Sequence, residues 1–320
     1  MIKTGIIGGA GYTAGELIRI LINHPQVEIT FVNSSSNTGN KITDVHSGLI
    51  GETDLAFTDQ LLLDGIDVLF LCSAHGDSKK FLEVNPIPEK VKIIDLSTDY
   101  RDESNGFVYG LPELNKERIR NATKIANPGC FATGIQLGLL PLAAEGLLQS
   151  EIHVNAITGS TGAGVKPGAT SHFSWRNNNV SVYKAFEHQH LTEIMQSLKQ
   201  LQPAFGEAIN FIPVRGNFAR GIFVTTYTEC NHELDKIKKI YTDYYKNAGF
   251  TFIMDQNPDL KQVVNTNKCI VHLEKHGNKL LVLSIIDNLL KGASGQAVQN
   301  MNIMFGLPED TGLKLKSVAF

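Results

Sequence analysis

Cysteine is scarce in this 320-residue sequence, and the four present form no pattern. Cys72, Cys130, Cys230 and Cys269 make no CxxC pair and have no short regular spacing, which argues against a disulfide framework or a zinc site and for a reduced, cytoplasmic protein without a metal. Long hydrophobic runs are missing too. No stretch reaches the roughly 18 apolar residues of a membrane span, and the apolar N-terminal stretch is short and runs into glycines, unlike a signal peptide. Neither sign of charge is in excess: the net charge is −3, with no basic footprint for nucleic acid or an anionic membrane. A small anionic substrate remains compatible, since it needs only a local cationic pocket. Internal repeats and low-complexity linkers are also lacking.

What is present points to two domains, because 320 residues exceed one compact core. In the first part, short apolar runs over 4–8, 27–32, 68–72 and 91–96 alternate with turns and helical patterns such as 15–23. That alternation is the signature of right-handed βαβ units and a parallel sheet. After residue 130 the texture changes. A helix over 130–145 precedes strand-like runs over 152–158, 209–213, 219–229, 269–275 and 279–287, with a helix over 232–248 and another over 295–305. The expected fold is an α/β Rossmann domain, residues 1–129 with 290–320. It is joined to an α+β catalytic and oligomerisation domain, residues 130–289, built on a mixed, largely antiparallel sheet.

The first strand runs into Gly8-Gly9-Ala10-Gly11-Tyr12-Thr13-Ala14-Gly15 and then a helix. Gly8 suits a tight turn, Gly11 a close approach of backbone to a pyrophosphate, and Gly15 close helix–strand packing. The helix N-terminus adds N–H groups and a positive dipole end for phosphates, so Gly8, Gly11, Tyr12, Thr13 and Gly15 are expected to bind a dinucleotide. The spacing is GxxGxxxG, and a tight turn without ligand would use the same residues. At the end of the second strand, Asn33-Ser34-Ser35-Ser36-Asn37 carries no acid to hold a ribose 2′-hydroxyl. The hydroxyls of Ser34, Ser35 and Ser36 would accept a 2′-phosphate, which favours NADP(H), with Lys41 as the nearest cation. His75, after the third strand, lies where a Rossmann loop lines the cofactor crevice.

Cys130 follows Asn127-Pro128-Gly129 at the expected start of a helix, where the dipole favours the reactive thiolate. The other three cysteines fall in expected strands and read as small buried hydrophobes. Ten histidines are available for proton transfer, among them His188 and His190 in Glu187-His188-Gln189-His190. Two positions apart, they project to one side if the segment is extended.

These stretches resemble the N-acetyl-γ-glutamyl-phosphate reductases, the arginine-pathway branch of the aspartate-semialdehyde dehydrogenase-like superfamily. The resemblance runs in order over nearly the whole chain: the Gly8 loop, Asp95-Leu96-Ser97-Thr98-Asp99-Tyr100-Arg101, Tyr109-Gly110-Leu111-Pro112-Glu113, residues 125–141, 159–164, the paired histidines, and Lys291-Gly292-Ala293-Ser294-Gly295-Gln296-Ala297. It implies reduction of N-acetyl-γ-glutamyl phosphate by NADPH to N-acetyl-L-glutamate 5-semialdehyde, with release of phosphate, through a thioester on Cys130. It further implies that one of His188 and His190, with His190 favoured, is the acid/base and the other assists binding. Arg101 would meet the phosphoryl group, and Arg215 and Arg220 the substrate carboxylate, since guanidinium binds such oxygens bidentately. Asn127 and Ser160 would line the substrate site. Gly162 and Gly164 in the second glycine-rich loop would line the cofactor, as would Asn288 and Gly292 on the nicotinamide side. Lys166 and Thr161 depart from the family's more usual Arg and Ser but keep the chemistry. The resemblance also suggests a homo-oligomer, a tetramer built from dimers.

Rival readings stay open at this point. A relative acting on an N-succinyl-glutamyl, aspartyl or aminoadipyl phosphate would share most of these features. The paired histidines speak against the aspartyl enzyme, and the −3 charge against an acidic protein carrier. A non-catalytic NADP sensor would keep the Gly8 loop but have no use for Cys130 beside paired histidines.

Overall fold

The computed structural model describes residues 1–318, and the chain divides into two compact units. Residues 1–129 and 293–314 make the first. Its elements in chain order are β1 (Ile2–Ile7), α1 (Tyr12–Leu21), β2 (Val27–Asn33), α2 (Ile42–Val45), β3 (Phe57–Thr58), β4 (Val68–Leu71), α3 (Asp77–Val84), β5 (Lys92–Asp95), β6 (Val108–Tyr109), α4 (Pro112–Arg120) and β7 (Lys124–Ala126). The strands pair in the order β3-β2-β1-β4-β5-β7-β6, all parallel. This is a doubly wound sheet, and the strand order reverses between β1 and β4. The loops after those two strands therefore flank the switch point, where such sheets bind ligands. β4 is buried on both faces, which is why its sequence is a continuous apolar run. Phe31, Leu69, Leu71, Ile93, Tyr100 and Phe107 fill the core on one side, with the Tyr100 and Phe107 rings stacked 4.1 Å apart.

The second unit holds α5 (Cys130–Ala144), β8 (Ile152–Thr158), α6 (Phe173–Arg176), β9 (Ser181–Val182), α7 (His190–Leu201), β10 (Ile209–Arg215), β11 (Ile222–Glu229), α8 (Leu234–Tyr245), β12 (Thr251–Ile253), β13 (Cys269–His276) and β14 (Lys279–Ile286). Its sheet runs β12-β13-β14-β11-β8-β10-β9; β8–β10 and β12–β13 are parallel and the other pairs antiparallel, the mixed sheet the sequence led us to expect. The last helix, α9 (Gly295–Met304), belongs to the first unit.

α5 is buried along nearly its whole length and carries Pro141, whose ring nitrogen cannot bond the Leu137 carbonyl. The Tyr245 hydroxyl donates to that carbonyl at 2.6 Å, and the Tyr241 hydroxyl donates to the Gly138 carbonyl at 2.6 Å. Two tyrosines on α8 thus satisfy the backbone and fix the helix that begins at Cys130.

Several details differ from the sequence reading. α1 begins at Tyr12 rather than residue 15, because Gly11 is already its N-cap. Cys72 and Cys230 lie just past the ends of β4 and β11 rather than within strands. The sequence places residues 290–320 with the first domain; in the structure residues 290–292 and 315–318 lie with the second unit, where Asn265 donates to the Lys316 carbonyl at 3.0 Å. Among the described residues no helix is long and apolar enough to cross a membrane.

Candidate active site

The cofactor-type loop is built by backbone contacts within the first unit. Gly8 has φ of +76°, and a Cβ there would stand 2.8 Å from the Cys72 carbonyl oxygen, so the turn needs glycine on two counts. At Gly11 a Cβ would meet only the Gly8 carbonyl, at 3.7 Å, leaving an open side over the first turn of α1. That open cradle, with Tyr12 and Thr13 in the first helical turn, fits a pyrophosphate. At Gly15 the nearest group that the missing side chain makes room for is the ring of His46, 2.6 Å from the ideal Cβ.

At the end of β2, Asn37 donates to the hydroxyls of both Ser34 and Ser36 at 3.0 Å, gathering a compact polar cluster that includes the neighbouring Ser35. His75 accepts the Thr98 N–H at Nδ1, 3.2 Å away, so its neutral form carries the proton on Nε2. Asp99 accepts the N–H groups of Gly76 and Lys79, holding the loop before α3. Arg101 is buried, with its guanidinium donating to the carbonyls of Asn127 and Leu96. The Asn127 amide donates to the Ala293 carbonyl and accepts from Asn300. Both candidate substrate residues of this unit are therefore engaged in holding its backbone.

The second unit gathers the nucleophile and the histidines. Of the four cysteines, none of which forms a disulfide, Cys72, Cys230 and Cys269 are buried; Cys130, opening α5, is partly exposed. Burial, with Asp95 nearby, pushes the Cys72 thiol far up and makes it inert. His188 and His190 meet in a way the extended reading did not foresee. Gln189 is helical and His190 starts α7, yet the two rings lie 4.5 Å apart at 70°. Phe131, next to Cys130, meets both rings edge-on at 5.5 and 6.2 Å. The approach is strained: Lys184 and Phe186 have φ of 45° and 62°, and a bulky residue in the left-handed region is a genuine outlier.

The two histidines sit in different electrostatic surroundings. His188 is 5% exposed, and burial, helped by the Lys184 charge, lowers its pKa to about 4. Its Nδ1 accepts the His190 N–H at 3.2 Å, so neutral His188 carries its proton on Nε2. His190 instead has the buried carboxylate of Glu193 3.7 Å from its Nε2.

The arginines separate as well. Arg220 makes a two-pronged ion pair with the fully buried Asp287, at 3.1 and 3.2 Å. Arg215 pairs with no carboxylate among the described residues. It stacks over the Tyr183 ring at 4.6 Å, and its Nε is buried without a partner. Tyr183 is pushed up to about 12 by burial and the nearby Cys130 charge, with Arg215 opposing, which places Arg215, Tyr183 and Cys130 in one electrostatic neighbourhood.

Other residues brace this site. Asn288 accepts the Gly221 N–H and donates to Thr161, tying down the loop that carries Ser160, Gly162 and Gly164. A Cβ at Gly292 would come within 2.8 Å of the Cys130 Cβ, so that glycine leaves room for the nucleophile itself. Sequence reasoning missed Tyr183, Glu193 and Arg176. Arg176 is buried and donates to the carbonyls of Thr170, Asn179 and Arg215. Glu193 had a usable signal, standing three residues after His190 on one helix face; Tyr183 and Arg176 had none.

A doubly wound unit followed by a mixed-sheet unit, with a partly exposed cysteine opening the helix whose Phe131 packs on two histidines, has the plan of a semialdehyde dehydrogenase-type protein. The family described as "Semialdehyde dehydrogenase, NAD binding domain" matches residues 3–122, and "Semialdehyde dehydrogenase, dimerisation domain" matches 130–288. Aspartate semialdehyde dehydrogenase II from Vibrio cholerae, complexed with ASA, shares the fold with a TM-score of 0.76 at 14% identity, covering 96% of this chain and 98% of that one. The Candida albicans enzyme with NADP gives 0.74 at 17%, covering 95% and 98%. Much nearer are the N-acetyl-gamma-glutamyl-phosphate reductases of Parabacteroides distasonis, 69% identical, and Flavobacterium johnsoniae, 56%, each over the full length of both chains. The chain belongs to the N-acetyl-gamma-glutamyl-phosphate reductase family.

Proposed function

We propose that this chain reduces N-acetyl-γ-glutamyl phosphate to N-acetyl-L-glutamate 5-semialdehyde with NADPH, releasing phosphate, as a step of arginine biosynthesis. The observation that carries the reading is Cys130, the one cysteine that is not buried, at a helix start whose next residue, Phe131, packs edge-on against His188 and His190. Its thiolate attacks the acyl carbon, the carbon–oxygen bond to phosphate breaks, and a thioester forms on sulfur. Bound NADPH supplies a hydride. As the carbon–sulfur bond later breaks, Cys130 departs as a thiolate, ready for the next turnover.

His190 is the acid/base, with the buried Glu193 carboxylate 3.7 Å from its Nε2 to orient the ring. His188, neutral through burial, offers a fixed Nε2–H to substrate oxygen. Arg215 is the first anion ligand, being the arginine of the three without a carboxylate or carbonyl partner for its guanidinium. In the second unit Arg220, engaged on Asp287, and Ser160 are the further candidate substrate residues; in the first they are Asn127 and Arg101, the latter engaged on the Asn127 and Leu96 carbonyls. The cofactor is held by Gly8, Gly11, Tyr12, Thr13 and Gly15. Ser34, Ser35 and Ser36 take the 2′-phosphate and His75 lines the crevice of the first unit; of the second unit, Gly162 and Gly164 are the cofactor-lining candidates, and Asn288 and Gly292 those for the nicotinamide. Four cysteines without a disulfide suit the cytoplasm.

The test is NADPH formation in reverse, with NADP⁺, phosphate and the N-acetyl, N-succinyl or aspartyl semialdehyde. Phosphate-dependent turnover fastest with the N-acetyl compound is expected. A faster N-succinyl or aspartyl aldehyde would reassign the substrate, and no turnover by folded, NADP-binding protein would revive the sensor.

A homo-oligomer is part of the proposal. α5 and α8 pack on one face of the second sheet; on the other, Ile157, Phe223 and Tyr227 alternate outward and keep solvent exposure, Tyr227 at 43%. A second copy would cover this apolar row. Sedimentation is expected to give a multiple of the chain mass, and Tyr227→Arg to lower it; a monomeric wild type would contradict the interface.

A further inference from the structure

Glycines are not the only residues that shape the cofactor loop, because a side chain reaches it from outside. His46 follows α2, on the segment that begins with the Ser34–Ser36 cluster. Its Nε2 stands 2.7 Å from the Gly9 carbonyl oxygen, and since a carbonyl can only accept, the ring donates. Its ring occupies the space where Gly15 lacks a Cβ, with the Phe57 ring 6.2 Å away on another side. Gly9 is held on its other side too: its N–H donates to the Asn33 carbonyl at 2.8 Å, and a Cβ there would lie 2.3 Å from Val32.

We infer that His46 is a positioning residue for the dinucleotide, fixing the plane of the Gly9–Ala10 peptide so that its N–H faces the phosphate. The reason is covalent geometry. The peptide is trans and planar, so the Gly9 C=O and the Ala10 N–H point in opposite directions. Tying the carbonyl to His46 therefore aims the Ala10 N–H away from His46. Among the described residues that N–H has no acceptor, and Ala10 is half-buried on the open side of the loop next to Gly11. Without the His46 bond, a glycine on one side of the peptide leaves it free to rotate, since glycine tolerates both signs of φ. The orientation would then have to be fixed at binding, which weakens affinity. Gly15 acquires a definite purpose: any side chain there displaces the brace.

The inference rests on the dinucleotide reading of the loop, and one binding series separates the two. NADPH affinity is measured by calorimetry for wild type, His46→Ala, His46→Gln, Gly15→Ala and the Gly15→Ala/His46→Ala double variant, alongside KM for the acyl phosphate. His46→Ala is expected to weaken NADPH about tenfold, the upper end for one lost hydrogen bond, with the KM for acyl phosphate unchanged. His46→Gln, whose amide reaches a similar point, is expected to recover most of that loss. Gly15→Ala is expected to weaken binding as His46→Ala does, while the double variant is no weaker than His46→Ala, because the ring it would displace is gone. Folded His46→Ala binding NADPH as wild type does, or losses that add in the double variant, would overturn the brace alone. Wild type that fails to bind NADPH would overturn the dinucleotide reading and the brace with it.

Discussion

Replacing Cys130 by serine is expected to reduce kcat by about four orders of magnitude or more, the scale seen when a covalent nucleophile is removed, while leaving NADPH affinity unchanged. A serine hydroxyl at a helix start is still almost wholly protonated at neutral pH, whereas a thiol there is partly ionised. Cys130 belongs to the second unit and the Gly8 loop to the first, so the variant should separate chemistry from cofactor binding. Cys230→Ala is the control, since Cys230 is buried, and its kcat should stay near that of wild type. Single-turnover and steady-state rates on folded protein check both; a Cys130→Ser enzyme within tenfold of wild type would remove the nucleophile from the mechanism.

His190→Asn should be the next most damaging change, costing about 10²- to 10⁴-fold in kcat, the usual contribution of a general acid/base. His188→Asn should cost less and act on KM as well, because a neutral histidine binds rather than exchanges protons at neutral pH. His188 should also make stability depend on pH. His188 has a folded pKa of about 4, below the ordinary value of 6.5. Above pH 6.5 both folded and unfolded forms are neutral and the group contributes nothing to the slope. As the pH falls from 6.5 to about 4, the unfolded chain takes up a proton that the folded chain resists, and stability is lost. Over that window the loss amounts to as much as about 3 kcal/mol. Thermal melts across this range should therefore be flatter for His188→Asn than for wild type. Equal slopes would mean that His188 is not buried as described, and a larger kcat loss for His188→Asn than for His190→Asn would exchange their roles.

Much of the fold is legible in the sequence. β8 and the start of α5 fall where periodicity and the Pro-Gly turn place them, because a half-buried strand and a helix start carry local signals. The glycine loop is legible as a turn, but its reasons are only partly so. Gly8 follows from local backbone geometry, whereas Gly15 answers to His46, far along the chain, and no local rule records such a contact. The same limit applies to the histidine pair. A spacing of two suggests an extended strand, yet the rings converge because the chain turns through two left-handed residues into α7. Arginine candidates look alike in sequence; only the Asp287 pairing of Arg220, the carbonyls around Arg101 and the unpaired Nε of Arg215 distinguish them. Short strands such as β3, β6 and β9, two residues each, have too little sequence to announce themselves.

The most direct test of the covalent mechanism is the intact and peptide mass of the enzyme quenched shortly after mixing with N-acetyl-γ-glutamyl phosphate in the absence of NADPH. The expected result is an increment equal to one N-acetylglutamyl group, confined to the peptide that contains Cys130, with an equal amount of phosphate released and neither seen in Cys130→Ser. An enzyme that turns over normally with NADPH but shows no increment and no phosphate burst without it would contradict a thioester on Cys130 and require direct reduction of the acyl phosphate.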